Sequence, residues 1–370
     1  MAEISLCMIV KNEEKNLAYC LDCVADIVDE INIIDTGSTD NTVEISKKYT
    51  DRVFYFKWND NFADARNFSY SKATKDFIMW LDADDILTEE NRKRLLGIKN
   101  ILDDNIDFII AQYRTHYDEN GAVSLIFPKI RITRRAMGLQ WRGAVHEDLE
   151  GRGNALTAEL YIDHNFKDPG PSLKRDLLIL KNEIDSGRAT PHIHYFYGLM
   201  QYSLGYFDEA EHHFNIVIDS EQSIAFDPIE LYIAMHNIYK IRGDLDKARS
   251  ILEDNESLMA DKAEFYCCLG IFYQDCLQDL QTACDKYKQA LRTQGTFLSK
   301  LVPGQRKPIF YYYIPCGLLG KAYLRLREPE SAFVYFQHAL TYKKDNEVEQ
   351  IVEKLKRIIE LKRSANMVTV

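Results

Sequence analysis

The first half of the chain alternates between short apolar runs and helical patterns. Four runs of strand length occupy residues 4–10, 31–34, 52–56 and 77–81, and apolar side chains recur at helical spacing over residues 17–24. Nearly unbroken apolar runs are typical of strands that are buried on both faces of a parallel sheet. The order β-α-β-α-β therefore predicts an α/β domain of the nucleotide-binding type.

The second half changes to an almost continuous helical pattern with an internal repeat. Alanine recurs at intervals of 38, 35 and 49 residues, near the roughly 34 of a tetratricopeptide repeat except for the last interval. These alanines are Ala210, Ala248, Ala283 and Ala332. The last interval contains an insert rich in proline and tyrosine at residues 294–315, and Asp-Pro-Gly-Pro at 168–171 is typical of a linker. We predict an α/β domain over residues 1–168 and an all-α repeat solenoid over residues 169–370.

Composition describes an ordinary globular protein with an acidic balance. The apolar fraction is 46%, the net charge is -11, and the eight cysteines are scattered. This charge disfavours nucleic acid and a polybasic membrane anchor as partners. No apolar run approaches the roughly 20 residues of a membrane span, and no secretion signal is evident. We expect a cytoplasmic protein with reduced thiols, in which Cys20 and Cys23 share a helix face rather than bind zinc.

The strand predicted at residues 77–81 ends in three carboxylates, Asp82, Asp84 and Asp85. Like charges this close repel, so the cluster costs free energy unless a cation binds it. Hard oxygen ligands suit Mg²⁺ or Mn²⁺, and such a cation can hold phosphate oxygens on its other positions. The alternative interpretation is an acidic loop in which Asp85 or Thr88 caps the next helix.

Polar residues also follow the first two strands. Asn12 and Glu14 come after the first strand, and Asp35 ends the second. Open α/β sheets bind ligands at the carboxyl ends of their strands, so we expect these residues and the aspartates to converge. The sequence contains neither GxGxxG nor GxxxxGK[ST], which disfavours a dinucleotide or P-loop site.

Three segments together resemble the family 2 glycosyltransferases. They are Ser-Leu-Cys-Met-Ile-Val-Lys-Asn-Glu-Glu at 5–14, Ile-Ile-Asp-Thr-Gly-Ser-Thr-Asp at 33–40 and Leu-Asp-Ala-Asp-Asp at 81–85. The resemblance covers roughly the first 165 residues and rests on three motifs in the family's order. It implies a GT-A fold, a nucleoside-diphosphate sugar donor, a Mn²⁺ or Mg²⁺ cofactor and inversion at the anomeric carbon. Among donors it favours UDP-sugars, with glucose or N-acetylglucosamine first.

The resemblance also implies roles for individual residues. Asp84 would contact the metal directly, Asp82 would lie nearer the ribose, Asp85 would support them, and His164 would complete the metal ligands. Arg66 would contact the donor, although its alternative is a surface arginine paired with an aspartate, and His164 has the alternative of a structural histidine. The implied donor-binding set is Val10, Asn12, Glu14, Asp35, Arg66, Asp82 and Trp141.

Residues 141–148 supply the candidates for the acceptor side. Their sequence, Trp-Arg-Gly-Ala-Val-His-Glu-Asp, resembles a Trp-x-Gly-x-Val-His-Glu motif of family 2 enzymes that carry helical repeats. The resemblance implies that Glu147 is the general base, with Asp148 as the alternative, and that His146 binds phosphate or orients the base. Trp141 is either a sugar-stacking ring or a core tryptophan. The alternative for the two carboxylates is a helix start, which favours negative charge.

A repeat solenoid beside a transferase domain points to a peptide or protein acceptor, or to a homodimer, more than to a small sugar. The combination resembles enzymes that glycosylate bacteriocin peptides on cysteine or serine, and also envelope or flagellin glycosyltransferases. The alternative from another class is a repeat scaffold with a degenerate transferase domain. A basic stretch either meets the diphosphate or solvates a loop, and it consists of Lys129, Arg131, Arg134 and Arg135.

Overall fold

The computed structural model describes residues 2–117, 123–149, 151–164, 170–220, 228–293 and 308–368. The chain divides into two compact units, the first formed chiefly by residues up to Leu204 and the second chiefly by the helices from Ile229 onward. The boundary predicted at residues 168 and 169 lies outside the described residues, as does the first part of the insert predicted at 294–315.

The first unit is organised around one large mixed sheet. Its strands are β1 (Ile4–Val10), β2 (Glu30–Asp35), β3 (Val53–Tyr55), β4 (Phe77–Trp80), β5 (Asp85–Ile86), β6 (Phe108–Tyr117), β7 (Val123–Arg134), β8 (Trp141–Arg142), β9 (Asp148–Leu149) and β10 (Ala155–His164). Eight of them form the sheet in the order β3-β2-β1-β4-β7-β6-β10-β5, and β8 pairs separately with β9.

The parallel part of this sheet brings the predicted strand ends to one edge. β1 pairs in parallel with both β2 and β4, and Val10 lies opposite Asp35. Ile4, Leu6 and Met8 are fully buried, as expected for a strand covered on both faces. Antiparallel pairing begins where β4 meets β7. All four predicted strands are confirmed, although the third and the fourth are shorter than predicted.

The first unit also contains helices, and a polar side chain caps the start of two of them. The helices are α1 (Leu17–Asp22), α2 (Thr42–Ser46), α3 (Phe62–Tyr70), α4 (Glu89–Ile101), α5 (Gly170–Asp185) and α6 (Pro191–Ser203). The side chain of Asn61 caps α3 by accepting from the backbone N–H of Asp64. Thr88 caps α4 by accepting from the backbone N–H of Asn91, so the capping role weighed for Thr88 is confirmed.

Helix pairs make up the second unit. The helices that follow α6 in the chain are α7 (Phe207–Ile218), α8 (Ile229–Ile241), α9 (Leu245–Glu253), α10 (Ala263–Asp275), α11 (Leu280–Arg292), α12 (Pro308–Arg325), α13 (Pro329–Tyr342) and α14 (Asn346–Val368). The four repeat alanines are fully buried. A side chain at Gly270 would collide with the ring of Tyr287, and one at Gly320 with the ring of Phe336. The repeat therefore pairs a glycine on one helix with an aromatic ring on the next.

One backbone feature recurs with the repeat. The residue five positions before each repeat alanine has a positive φ: 84° at Gly205, 78° at Gly243, 56° at Gln278 and 61° at Arg327. A left-handed residue is the usual way to end one helix and redirect the chain into the next. Glycine adopts this conformation without the steric cost that Gln278 and Arg327 incur.

Within the described residues, none of the helices combines the length and apolar character that crossing a membrane requires. All eight cysteines are free thiols. Cys20 lies in α1 and Cys23 directly follows that helix, and both are buried.

Candidate active site

The loops after β1 and β2 hold each other through the polar residues singled out in the sequence. Asn12 Oδ1 accepts from the backbone N–H of Thr39 at 2.8 Å, and Glu14 Oε2 accepts from the side chain of Asn41 at 2.9 Å. Asn12 has φ 56°, so the chain turns sharply at this point. These two side chains therefore brace the second loop against the first.

Val10 and Asp35 are the last residues of β1 and β2, and these two loops begin there. The Asp35 carboxylate is 3% exposed and accepts from the backbone N–H groups of Gly37 and Ser38 at 3.1 Å. The carbonyl of Val10 accepts from the backbone N–H of Thr36 at 3.0 Å. The strand ends thus converge as predicted, with Asp35 fixing the turn that follows it.

The three aspartates after β4 have different surroundings. Asp85 is fully buried, and its carboxylate accepts from Arg131 Nη1 at 3.1 Å and from the Tyr113 hydroxyl at 2.7 Å. Its Oδ2 also accepts from the backbone N–H of Asp82 at 3.0 Å. The guanidinium of Arg131 lies over the ring of Trp80 at 3.6 Å. Asp85 is therefore buried, ion-paired with Arg131 and hydrogen-bonded to the backbone of the loop.

Asp84 and His164 approach each other on the more open side of the cluster. Asp84 Oδ1 lies 3.4 Å from His164 Nδ1, which in turn lies 2.7 Å from the Tyr113 hydroxyl. Burial, with the charges of Asp82 and Asp85, raises the pKa of Asp84 to about 6 against the opposing effect of His164. Burial lowers the pKa of His164, but hydrogen bonding to Asp85 and the surrounding carboxylates outweigh it and raise that pKa.

The chemistry of this cluster fits a hard divalent cation. One ligand atom each from Asp82, Asp85 and His164 lie within 4.8 Å of one another. Carboxylate oxygens with one imidazole suit Mn²⁺ or Mg²⁺. Because Arg131 and Tyr113 already engage Asp85, the more open Asp84 is better placed than Asp85 to join Asp82 and His164 as a ligand. A cation there would also offset the burial and the neighbouring carboxylate charges that raise the pKa of Asp84.

Arg66 connects the aspartate cluster to the acceptor-side segment. Its Nη2 donates to Asp82 Oδ1 at 2.8 Å, and its Nε donates to Glu147 Oε1 at 2.5 Å. The guanidinium also lies over the rings of Trp80 and Trp141, 4.7 and 4.8 Å from their centroids. Arg66 is 7% exposed. Burial lowers its pKa, but the two carboxylates outweigh burial and raise it. The alternative interpretation of Arg66 as a surface arginine is therefore wrong.

Trp141 lies beneath this arginine rather than at an open surface. It is 3% exposed, and its ring meets Trp80 edge to face at 5.0 Å. The side chain of Asn67 clamps its backbone, donating to the Trp141 carbonyl at 3.0 Å and accepting from its N–H at 2.8 Å. Of the two interpretations of Trp141, its burial favours the core tryptophan.

The remaining acceptor-side candidates point to different partners. Glu147 has a side chain that is 10% exposed, whereas Asp148 is 49% exposed and accepts from Lys129 Nζ at 3.3 Å. Asp148 begins the short strand β9, so these carboxylates do not start a helix. His146 has φ 54° and its ring stacks on Phe196 at 4.0 Å.

Tyr113 and Phe196 belong to this site but had not been predicted. Each occurs within a regular apolar pattern of β6 or α6, so only the three-dimensional structure reveals its contact with a titratable side chain.

The four residues of the predicted basic stretch contact different partners. Lys129 pairs with Asp148, Arg131 with Asp85, Arg134 with Asp104, and Arg135 donates to the carbonyl of Lys75.

The fold and this site define a GT-A-like glycosyltransferase domain followed by a helical repeat region. Residues 5–147 match the family described as Glycosyl transferase family 2, and residues 315–346 match the Tetratricopeptide repeat family. Residues 5–147 therefore have the sequence pattern of a family 2 glycosyltransferase domain, and residues 315–346 have that of a tetratricopeptide repeat. The predicted resemblance and fold class are confirmed.

Two curated proteins are similar to parts of this chain. The SPbeta prophage-derived glycosyltransferase SunS of Bacillus subtilis is 31% identical over 169 residues, which are 44% of this chain and 39% of that protein. A TPR repeat-containing protein of Synechococcus elongatus is 44% identical over 90 residues, 24% of this chain and 22% of that protein. The chain thus spans well under half the length of these curated relatives.

One solved structure to which the chain is similar is glucosyl-3-phosphoglycerate synthase from Mycobacterium tuberculosis in complex with Mn²⁺ and UDP-glucose. It is 15% identical to this chain with a TM-score of 0.37, and the match covers 51% of this chain and 80% of that one.

Proposed function

We propose that the protein transfers a sugar from a nucleoside-diphosphate sugar to a peptide or protein side chain, with inversion at the anomeric carbon and a divalent cation. The donor we propose is a UDP-sugar, with glucose or N-acetylglucosamine as the sugar. The family 2 domain supports the reaction class, and the tetratricopeptide repeat supports a peptide or protein acceptor. Helical repeats commonly present extended binding surfaces to polypeptides.

The bridge made by Arg66 is the observation on which this proposal depends. A single buried guanidinium contacts Asp82 on the donor side and Glu147 on the acceptor side. Inverting transfer needs a leaving group and a base on opposite sides of the anomeric carbon. Arg66 fixes the spacing between the two carboxylates that we assign to those sides.

Asp82, Asp84 and His164 would hold the cation, with Asp85 anchored behind them by Arg131. When bound, the cation supplies positive charge that stabilises the departing diphosphate. Val10, Asn12, Glu14 and Asp35 would line the nucleoside end, with Asp35 accepting a hydrogen bond from the base. We assign Trp141 the task of holding Arg66 in place.

Glu147 is the base that we propose. An acceptor hydroxyl or thiol attacks the anomeric carbon, the bond from that carbon to the diphosphate oxygen breaks, and the acceptor proton passes to the Glu147 carboxylate. Because Arg66 engages Oε1, we assign proton acceptance to Oε2. Asp148 is more exposed and faces Lys129, which makes it the weaker candidate.

The test compares Glu147→Gln with Asp148→Asn in an assay of nucleoside diphosphate release from a panel of sugar donors, with Mn²⁺ and candidate peptides. We expect Glu147→Gln to reduce kcat by about 10²- to 10⁴-fold, because it removes the proton acceptor. Diphosphate binding should persist in this variant. Asp148→Asn should change kcat by less than about threefold. The reverse ranking would make Asp148 the base, and equal activity in both variants would contradict the proposed mechanism.

A further inference from the structure

The loop that presents Glu147 has a backbone that needs external support. Gly143 has φ 99°, and His146, three residues later, has φ 54°. A left-handed conformation costs free energy for a residue with a Cβ atom, so the surroundings must hold His146 there. Glu147 directly follows this position.

Much of the support comes from the helix pair α5–α6, which lies beyond the residues that match the family 2 domain. Ala144 and Val145 are 4% and 2% exposed, and they belong to one apolar cluster with Ile179 of α5 and with Ile193 and Tyr197 of α6. The Ala144 carbonyl also accepts from the backbone N–H of Phe62, at the start of α3, at 2.9 Å. The loop is thus packed on one helix pair and hydrogen-bonded to α3.

His146 itself is held by two aromatic residues of α6. Its imidazole stacks on Phe196 with a 4.0 Å centroid separation and a 24° angle between the planes. His192 lies edge-on to the same ring at 4.8 Å, and its Nε2 is 3.4 Å from the carbonyl of Val145. The stack therefore fixes the side chain immediately before Glu147.

His146 and Glu147 are adjacent in sequence but are held by side chains of different helices. His146 is anchored on α6, and Glu147 is anchored on Arg66 of α3. A rotation of the loop about its left-handed residue would separate Glu147 from Arg66. We infer that α6 is a working part of the transferase unit, in which Phe196 is a positioning residue that acts through His146 to place the Glu147 carboxylate.

This inference rests on the proposed function in one respect, the role of Glu147. The test therefore uses one readout that depends on transfer and one that does not. The variants are Phe196→Ala, which removes the ring, and Phe196→Tyr, which keeps it. The control is Tyr206→Ala, which removes an aromatic ring that is 63% exposed.

In the transfer assay, Phe196→Ala should lower kcat by about 10- to 100-fold, since small displacements of a reacting group have effects of that size. The donor KM and the metal-dependent binding of nucleoside diphosphate should stay within about threefold, because the aspartate cluster is untouched. Phe196→Tyr should restore kcat to within about threefold of the parent protein. A merely structural role would lower stability without this separation of kcat from KM.

The second readout is hydrogen exchange of the backbone amides at residues 143–148. We expect exchange at least about tenfold faster in Phe196→Ala, and parent-like exchange in Phe196→Tyr and Tyr206→Ala. If the parent protein transfers no sugar, the proposed function fails while exchange still decides the positioning. If Phe196→Ala does not fold, Phe196→Leu keeps the volume without the stack and takes its place. Unchanged kcat and unchanged exchange on loss of the ring would overturn the inference.

Discussion

At the scale of single residues, three neighbouring aspartates are distinguished by their partners. Asp85 faces Arg131 and Tyr113 in the interior, Asp82 faces Arg66, and Asp84 faces His164. Asp82 and Asp85 are each already paired with a buried arginine, whereas burial and the neighbouring carboxylates raise the pKa of Asp84, so a metal would stabilise ionised Asp84 most. This difference supports Asp84 as the principal ligand in the proposed site.

The Arg66 bridge gives the first prediction at this scale. Arg66→Met should reduce the free energy of unfolding by about 3 kcal/mol, because it leaves Glu147 and Asp82 without their buried partner. It should also abolish transfer. Chemical denaturation measures the first effect, and Arg188→Met is the control, since Arg188 forms an exposed pair with Glu183. Equal stability of both variants would show that the buried bridge does not stabilise the fold.

The sequence indicated which residues would form the site better than it indicated their pairing. Asp82, Asp84 and Asp85 stand together at a strand end, and their chemistry is visible in the sequence. The partners Arg66 and Glu147 are 81 residues apart, and only the folded sheet brings them together. The sequence did not decide whether Trp141 is buried, because a tryptophan in a short loop suits a core or a ligand surface equally well.

At the scale of elements, Glu30 joins β2 to its neighbours. Its carboxylate accepts from the Ser5 hydroxyl at 2.7 Å and from the Thr74 hydroxyl at 2.6 Å, and its side chain is 7% exposed. Burial raises its pKa, but hydrogen bonds from Thr74, Asn32 and Ser5 outweigh burial and lower the pKa to about 2. The ionised form is therefore the one that the sheet stabilises.

The sign of the resulting pH dependence follows from that lowered pKa. The stabilisation that ionised Glu30 provides is complete above its unfolded pKa of about 4.5 and is lost as the pH falls toward 2. Relative to Glu30→Gln, the parent protein should lose about 2 kcal/mol of unfolding free energy between pH 6 and pH 3. Denaturation of both proteins at several pH values measures this difference, and parallel pH profiles would contradict the assignment.

The turns of the helical repeat give another prediction. Gly243 has φ 78° and open space around it, whereas Gly97 lies exposed within α4. Gly243→Ala should destabilise the protein by about 1 kcal/mol through backbone strain alone. Gly97→Ala should stabilise it by about 0.5–1 kcal/mol through higher helix propensity.

Arg327→Gly extends the comparison to a repeat that lacks the glycine. It removes a side chain from a left-handed position and should leave stability unchanged or raise it by up to about 1 kcal/mol. Thermal unfolding of the three variants measures the order of their stabilities. A loss of stability in Arg327→Gly as large as that in Gly243→Ala would contradict the assignment of this turn.

The regular elements were predicted well wherever the apolar pattern was strong. β1, β2 and β4 and the repeat helices follow their periodicity closely. The short strands β5, β8 and β9 have only two residues each, so no period exists from which to predict them. The turns at Gln278 and Arg327 could not be predicted, because their residues lack the preference that marks Gly205 and Gly243.

At the scale of the whole molecule, the first compact unit includes more than the family 2 domain. It continues through α6, whose side chains pack on the loop that presents Glu147. The linker-like composition at residues 168–171 marks a change of architecture from sheet to helices. The packing of α5 and α6 depends on apolar contacts with residues 144 and 145, which no local composition reveals.

The central claim is that the protein binds a nucleoside diphosphate together with a divalent cation at the Asp82–Asp85 loop. The most direct measurement is thermal unfolding with each common nucleoside diphosphate, in the presence of Mn²⁺, Mg²⁺ or a chelator. A ligand at about a hundred times its Kd stabilises the folded state by about 2.7 kcal/mol. Asp84→Ala tests the site, and Asp51→Asn, an exposed carboxylate before β3, is the control. We predict stabilisation by UDP only with metal, kept in Asp51→Asn and lost in Asp84→Ala. Stabilisation by none of the diphosphates, or stabilisation that survives both chelator and Asp84→Ala, would contradict the claim.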